Sequence, residues 1–220
     1  MSLMIYPGTA LLWFCLIASG GLLLIAFLLT PWRAFLAVRD RSLMWLGYWL
    51  VVSFVWLLKI PLAGILAMHL TVLTAAVFIF GWALTLLIGA LALLAGQLLQ
   101  PLPWYTLPVN FWLGVAMPVA ASWLVQQFIA RVPVNNLFMF ILGGGFAGSI
   151  FTVFVTLLAS LFWYWLFSLD SLLVTLSDHA WLYVMSIFPE GFIGGAVLST
   201  VTVLKPDLVK SYDDDRYLSD

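Results

Sequence analysis

Inside the long apolar runs of this sequence stand four side chains equipped for chemistry: His69, Gln97, Asn110 and Glu190. A polar group at membrane depth is expensive to keep, so each is a candidate for function. His69, in Ala67-Met68-His69-Leu70, carries an imidazole whose neutral form ligates transition metals and also serves as a structural hydrogen bonder. Gln97 is suited to an interhelical hydrogen bond, and Asn110 and Glu190 to a partner helix or a bound substrate. Glu190 follows a proline in Phe188-Pro189-Glu190-Gly191-Phe192. The proline weakens a helix and frees a carbonyl, so the carboxylate beside it suits a proton relay, an ion ligand or a capping partner. Asp170, Asp178 and His179 fall in an expected external loop, where water solvates them.

Other chemistries lack their residues. The run Gly143-Gly144-Gly145-Phe146-Ala147-Gly148-Ser149 suggests a phosphate loop, yet it lies inside an apolar span and the chain has no Walker A lysine motif. Gly144/Gly148 and Gly191/Gly195 instead have the small-xxx-small spacing of close helix packing. Ser149 invites an intramembrane serine protease, but no G-x-S-G surrounds it and nothing pairs it with His69 or His179. No catalytic residue is assigned and no enzyme is expected. The lone Cys15 excludes a disulfide framework.

The elements that position these side chains follow from composition. Hydrophobic residues make up 65% of the 220-residue chain and charged ones 8%, against about 25% charged in soluble domains. A bilayer tolerates exposed apolar surface but not unpaired backbone, so helices are expected almost throughout. The expected fold is an all-α integral membrane protein, a polytopic bundle of about seven transmembrane helices in a single domain. The spans are placed at 9–29, 43–58, 62–80, 82–99, 108–130, 137–169 and 180–204, since about twenty apolar residues cross the hydrocarbon. A short cytoplasmic tail, 205–220, follows.

The charge-free stretch from Ile60 to Ala130 is divided at Phe80-Gly81-Trp82 and at Pro101-Leu102-Pro103 into three spans. The run 137–169 is taken as one long, tilted helix. Basic residues favour the cytoplasm, and with this count Arg33, Arg39, Arg41, Arg131, Lys205, Lys210 and Arg216 share one side, leaving Lys59 on the other. The N-terminus is then outside and the C-terminus cytoplasmic. The first apolar run has no preceding Lys or Arg and no A-x-A site, and reads as a retained helix rather than a signal peptide. Tryptophans such as Trp32, Trp82, Trp104 and Trp181 suit an interfacial belt. A net charge of −1 offers no basic surface for nucleic acid.

Several stretches resemble the membrane-embedded substrate-binding (S) component, or permease, of energy-coupling-factor ABC transporters of the cobalt and nickel group. They are Lys59-Ile60-Pro61 leading to Met68-His69-Leu70, Ile79-Phe80-Gly81-Trp82, Leu91 to Leu99, Leu107-Pro108-Val109-Asn110, Phe188-Pro189-Glu190 and Lys205-Pro206-Asp207. The resemblance implies a multi-pass protein of the bacterial plasma (inner) membrane with no permanently bound cofactor. It implies uptake of a divalent transition metal, cobalt or nickel, powered by a coupling transmembrane subunit and ATPase subunits. It also implies a metal site built from the amino-terminal nitrogen, a histidine at position two and a further histidine matching His69. Here Ser2 stands at position two, so His69 would need help from Met68, Met117, Asn110 or Glu190. Thioether help would favour copper(I). The alternative is a family-derived membrane protein without metal binding, carrying another small solute or serving a partner complex.

Overall fold

A computed structural model describes residues 2–100, 103–132 and 136–217. Its backbone is 80% helical. Helices α1 (Thr9–Leu29), α2 (Trp32–Ala37) and α3 (Arg39–Leu57) come first. After a small sheet follow α4 (Thr74–Phe80), α5 (Trp82–Leu99), α6 (Trp104–Ile129), α7 (Met139–Leu166), α8 (Asp170–Asp178), α9 (Ala180–Leu204) and α10 (Asp214–Tyr217). Five of them, α1, α5, α6, α7 and α9, are long and apolar enough to cross a membrane. The protein is a multi-pass, largely helical membrane protein.

The stretch 62–80, expected as one span, is not a single helix. Its beginning belongs to a three-stranded antiparallel sheet of order β1-β3-β2, in which β1 is Ser2–Leu3, β2 Ile60–Leu62 and β3 Leu66–Met68. The chain reverses at Ala63 and Gly64, both left-handed with φ 48° and 74°, the backbone geometry of tight hairpins. Ser2 faces Ala67 and Leu3 faces Leu66 across the β1–β3 pair. Residues 69–73 are irregular, and α4 follows with only seven residues, every one buried. A stretch walled in by other helices shows no amphipathic period, and so its sequence looks like a crossing helix. The small sheet is an addition to a fold that is otherwise helical, as expected.

Two helices contain wide turns. In α6 the residues Trp112–Ala116 form a π-helical segment just ahead of Pro118; a looser bonding pattern upstream accommodates the missing N–H of a proline. In α7 the glycine run lies in a π-helical stretch, Met139–Ala147. Here α9 comes very close. A Cβ added at Gly145 would stand 3.0 Å from Gly195 Cα, and one at Gly194 only 2.0 Å from Ser149 Oγ. The glycines of both helices are therefore packing positions.

The expected break at Pro101-Leu102-Pro103 lies outside the described residues for its first two members, and so do Leu218 to Asp220 of the tail. From Pro206 the tail folds back along the bundle. Lys210 N–H donates to Ile79 O (2.9 Å) and Ser211 N–H to Phe78 O (3.2 Å), which caps the last carbonyls of α4.

Candidate functional site

His69 lies at the start of the irregular segment, 7% exposed. Backbone without a regular ladder must find partners elsewhere when no water is present, and side chains from two helices supply them. Glu190 of α9 accepts from Thr71 N–H, from Thr71 Oγ1 (2.9 Å) and from Val72 N–H (3.1 Å). From α3, Tyr48 OH donates to Val72 O (2.7 Å) and Trp56 Nε1 to Thr71 O (3.3 Å). Val72 itself is left-handed, with φ 46°, a conformation a β-branched residue keeps only when its surroundings hold it there.

This frame also orients the imidazole. The Trp56 ring lies 4.8 Å from that of His69 at 45°. His69 Nδ1 is 3.1 Å from Leu70 O. A carbonyl can only accept, so this hydrogen bond places a proton on Nδ1.

Asn110 performs a similar task for β1. On its outer edge, away from β3, Leu3 N–H donates to Asn110 Oδ1 (2.5 Å) and Asn110 Nδ2 donates to Leu3 O (3.2 Å). The carboxamide thus stands in for a further strand. Asn110 is 3% exposed on α6, and with Met4 N–H donating to Ile65 O (2.9 Å) it fixes the register that brings Ser2 to the site.

These elements enclose a small cavity walled by Ser2, Trp56, Lys59, His69, Gln97 and Asn110. The space open to the centre of a water-sized sphere is about 10 Å³, room for about one water or one desolvated ion. Ser2 is 1% exposed, and its Oγ is buried with no hydrogen-bond partner among the described residues. Burial lowers the pKa of the Lys59 amine below its ordinary range, because removal from water disfavours the ammonium.

The cavity therefore joins two of the expected site residues, His69 and Asn110, with Gln97. Glu190 is not in its wall and acts on Thr71 and Val72 instead. Met68 and Met117 are not in the wall either. The amino-terminal nitrogen of Met1 lies outside the described residues. Among those residues no group of three or more His, Cys, Asp or Glu side chains gathers. Sequence reasoning missed Tyr48 and Trp56, although with Val52 they form an i, i+4, i+8 stripe whose last two members are fully buried. It noted Ser2 only as the absence of a histidine, and nothing signalled the approach of Lys59.

Ser149, the serine weighed as a nucleophile, donates to Gly145 O (2.7 Å). It begins a row in which Thr152, Thr156 and Ser160 each donate to the carbonyl four residues back. His179 Nδ1 lies 2.8 Å from Thr175 O.

The family model described as the cobalt uptake substrate-specific transmembrane region matches residues 9–208, nearly the whole chain. The chain belongs to the CbiM family. This CbiM protein is accordingly a membrane component of cobalt uptake, in a family concerned with transport. The matched region of the CbiM chain begins after β1, so Ser2 and Leu3 stand outside it while His69, Asn110 and Glu190 stand within. No curated protein and no solved structure matches the chain.

Proposed function

We propose that the protein is the substrate-binding subunit of an energy-coupling-factor ABC transporter and takes up a divalent transition metal, cobalt or nickel, across the bacterial inner membrane. The observation that carries this reading is the ion-sized cavity at His69, with a buried Ser2 hydroxyl in its wall that has no partner among the described residues. His69 would bind the cargo ion, with the Ser2 hydroxyl and the Gln97 carboxamide beside it in the cavity wall. Imidazole suits cobalt and nickel, and the oxygens relax the preference for a planar all-nitrogen set. Asn110 and Glu190 serve the substrate by holding the two walls, strand β1 and residues 69–73. The basic residues at the C-terminal end favour that end in the cytoplasm. A coupling transmembrane subunit and an ATPase pair would supply the energy.

One observation favours a second reading, a family member that carries another small solute. Among the described residues the cavity has a single imidazole, no carboxylate, and a lysine whose charge opposes a dication. Elemental analysis and calorimetry on the purified protein, native and His69→Ala, distinguish the two. Cobalt or nickel bound by the native chain and lost in the variant supports the metal site. Binding that is absent, or indifferent to the substitution, overturns it. Co-purification with an ATPase pair tests the transporter assembly separately.

A further inference from the structure

At the opposite end of the molecule from His69, where the tail folds back, lies a second polar cavity. It occupies about 260 Å³ between the end of α1, α2 and the junction of α4 with α5. Two cations reach it, Arg41 and Lys210, and among the described residues no carboxylate lines it. Arg41 is held by one hydrogen bond, Nη2 to Asp207 O (3.1 Å), while its Nε is buried with no partner among the described residues. Lys210 is positioned by its own backbone bond to Ile79 O, and its chain crosses Gly81, where a Cβ would stand 3.0 Å from Nζ. Gly81 has φ 86°, so a glycine here permits both the turn and the close approach of the lysine.

The opening turn of α5 completes the cavity. Trp82, Ala83 and Leu84 line it, and this 18-residue helix has no side-chain cap, so its first N–H groups add positive potential to that of the two cations. The nearby acid Asp40 is engaged by Lys205 at 3.6 Å. The carbonyls of Ala26 and Phe27, which would oppose an anion, already accept from Thr30 and Trp32. The remaining wall is apolar, with Leu29, Phe35, Ile79 and Phe80. Trp32 and Trp82 flank it at the level expected of an interfacial belt.

We infer that this cavity binds the phosphate of an anionic phospholipid, with Arg41 and Lys210 on the headgroup and the apolar wall against the upper acyl chain. A phosphate diester would pair with the Arg41 guanidinium and the Lys210 ammonium, and basic pockets between membrane helices take such headgroups. The lipid is preferred to free phosphate because two-thirds of the lining residues are apolar, and Leu29 among them is exposed on the outside of the bundle. Occupancy would join α1, α3 and the tail segment into one unit.

The full chain, purified in detergent, is titrated with phosphatidylglycerol, with phosphatidylcholine of the same acyl chains and with inorganic phosphate. Bound lipid is counted by native mass spectrometry and stabilisation followed by thermal melting. Phosphatidylglycerol is expected to bind in preference to phosphatidylcholine. Arg41→Gln with Lys210→Gln should weaken it roughly 30-fold, and Lys210→Gln alone roughly fivefold, from the usual worth of a cation near an anionic headgroup. Arg33→Gln with Arg39→Gln, which removes the same charge from exposed positions, should leave it unchanged. The exposed Lys210 variant keeps the test decisive if the double variant does not fold. Equal binding of both lipids, an equal loss in the Arg33/Arg39 variant, or stabilisation by inorganic phosphate matching that by phosphatidylglycerol would overturn the inference.

Discussion

Replacing Glu190 by alanine is expected to damage the protein more than any other single polar deletion in the bundle. Three donors lose their acceptor: Thr71 N–H, Thr71 Oγ1–H and Val72 N–H. A hydrogen bond to an ionised group contributes about 1.5–3 kcal/mol, and a buried donor left unpaired carries a similar penalty. Water is not at hand to substitute. Discounting for the relief of desolving the carboxylate, the loss comes to about 4 kcal/mol. At ~3 °C per kcal/mol for a chain of this length, melting should fall by ~12 °C. Glu190→Gln separates the charge from the hydrogen bonds. Its amide oxygen can still accept both Thr71 bonds, and only the Val72 N–H meets an amide nitrogen, so a fall of ~5 °C is expected. Both variants should weaken cobalt binding in that order, because the left-handed Val72 relaxes and His69 turns with it. Melting in detergent and calorimetric titration with cobalt give the two readings. If glutamine proved as damaging as alanine, or if neither shifted the melting, the hydrogen-bond account of Glu190 would be wrong.

Asn110→Ala should release β1 from α6, since Leu3 loses both of its outer bonds, about 2 kcal/mol together; faster amide exchange at Leu3 and Met4 measures it, and unchanged exchange contradicts it. Gly89→Ala places a methyl 2.3 Å from Val115 Cγ1 and should destabilise by about 1–3 kcal/mol. Val115→Ala should recover part of that loss in the double variant, as a thermal double-mutant cycle would register. Lys59→Gln removes the cation from the wall of the His69 cavity and should raise cobalt affinity several-fold at neutral pH. The native chain's affinity should climb with pH as Lys59 loses its proton, over a window below the ordinary lysine range because burial lowers its pKa. The variant should lack that rise. The same depressed pKa means that the folding penalty of a buried ammonium is fully present below the folded value and is relieved as pH climbs towards the unfolded one.

The apolar runs made much of the bundle legible. Helices start at Thr9, Trp82 and Ala180 because glycine, a second glycine and a loop histidine precede long apolar segments there. The stretch 62–80 was illegible for a physical reason. Hydropathy reports distance from water, and a strand, an irregular turn and a half-length helix enclosed by other helices are as far from water as a crossing helix is. The polar residues His69, Asn110 and Glu190 were visible as costly groups, but their roles were not. The bonds of Asn110 and Glu190 run to backbone atoms 107 and 119 residues away, and a backbone partner leaves no mark in the sequence. Ser2 was hidden because a serine at a chain end is ordinary until the fold buries it.

The holding of residues 69–73 by Glu190 has a bearing on how the protein is made. The segment carrying His69 emerges from the ribosome well before α9, and until that last long helix is inserted the Thr71 and Val72 amides have no carboxylate to receive them. Newly made chains therefore pass through a stage in which most of the bundle is in the bilayer while the segment beside His69 is not yet held, and the final helix completes it. A chain cut short before α9 would carry its defect at the heart of the site rather than at its end, a mark by which membrane quality control can tell an unfinished copy from a finished one.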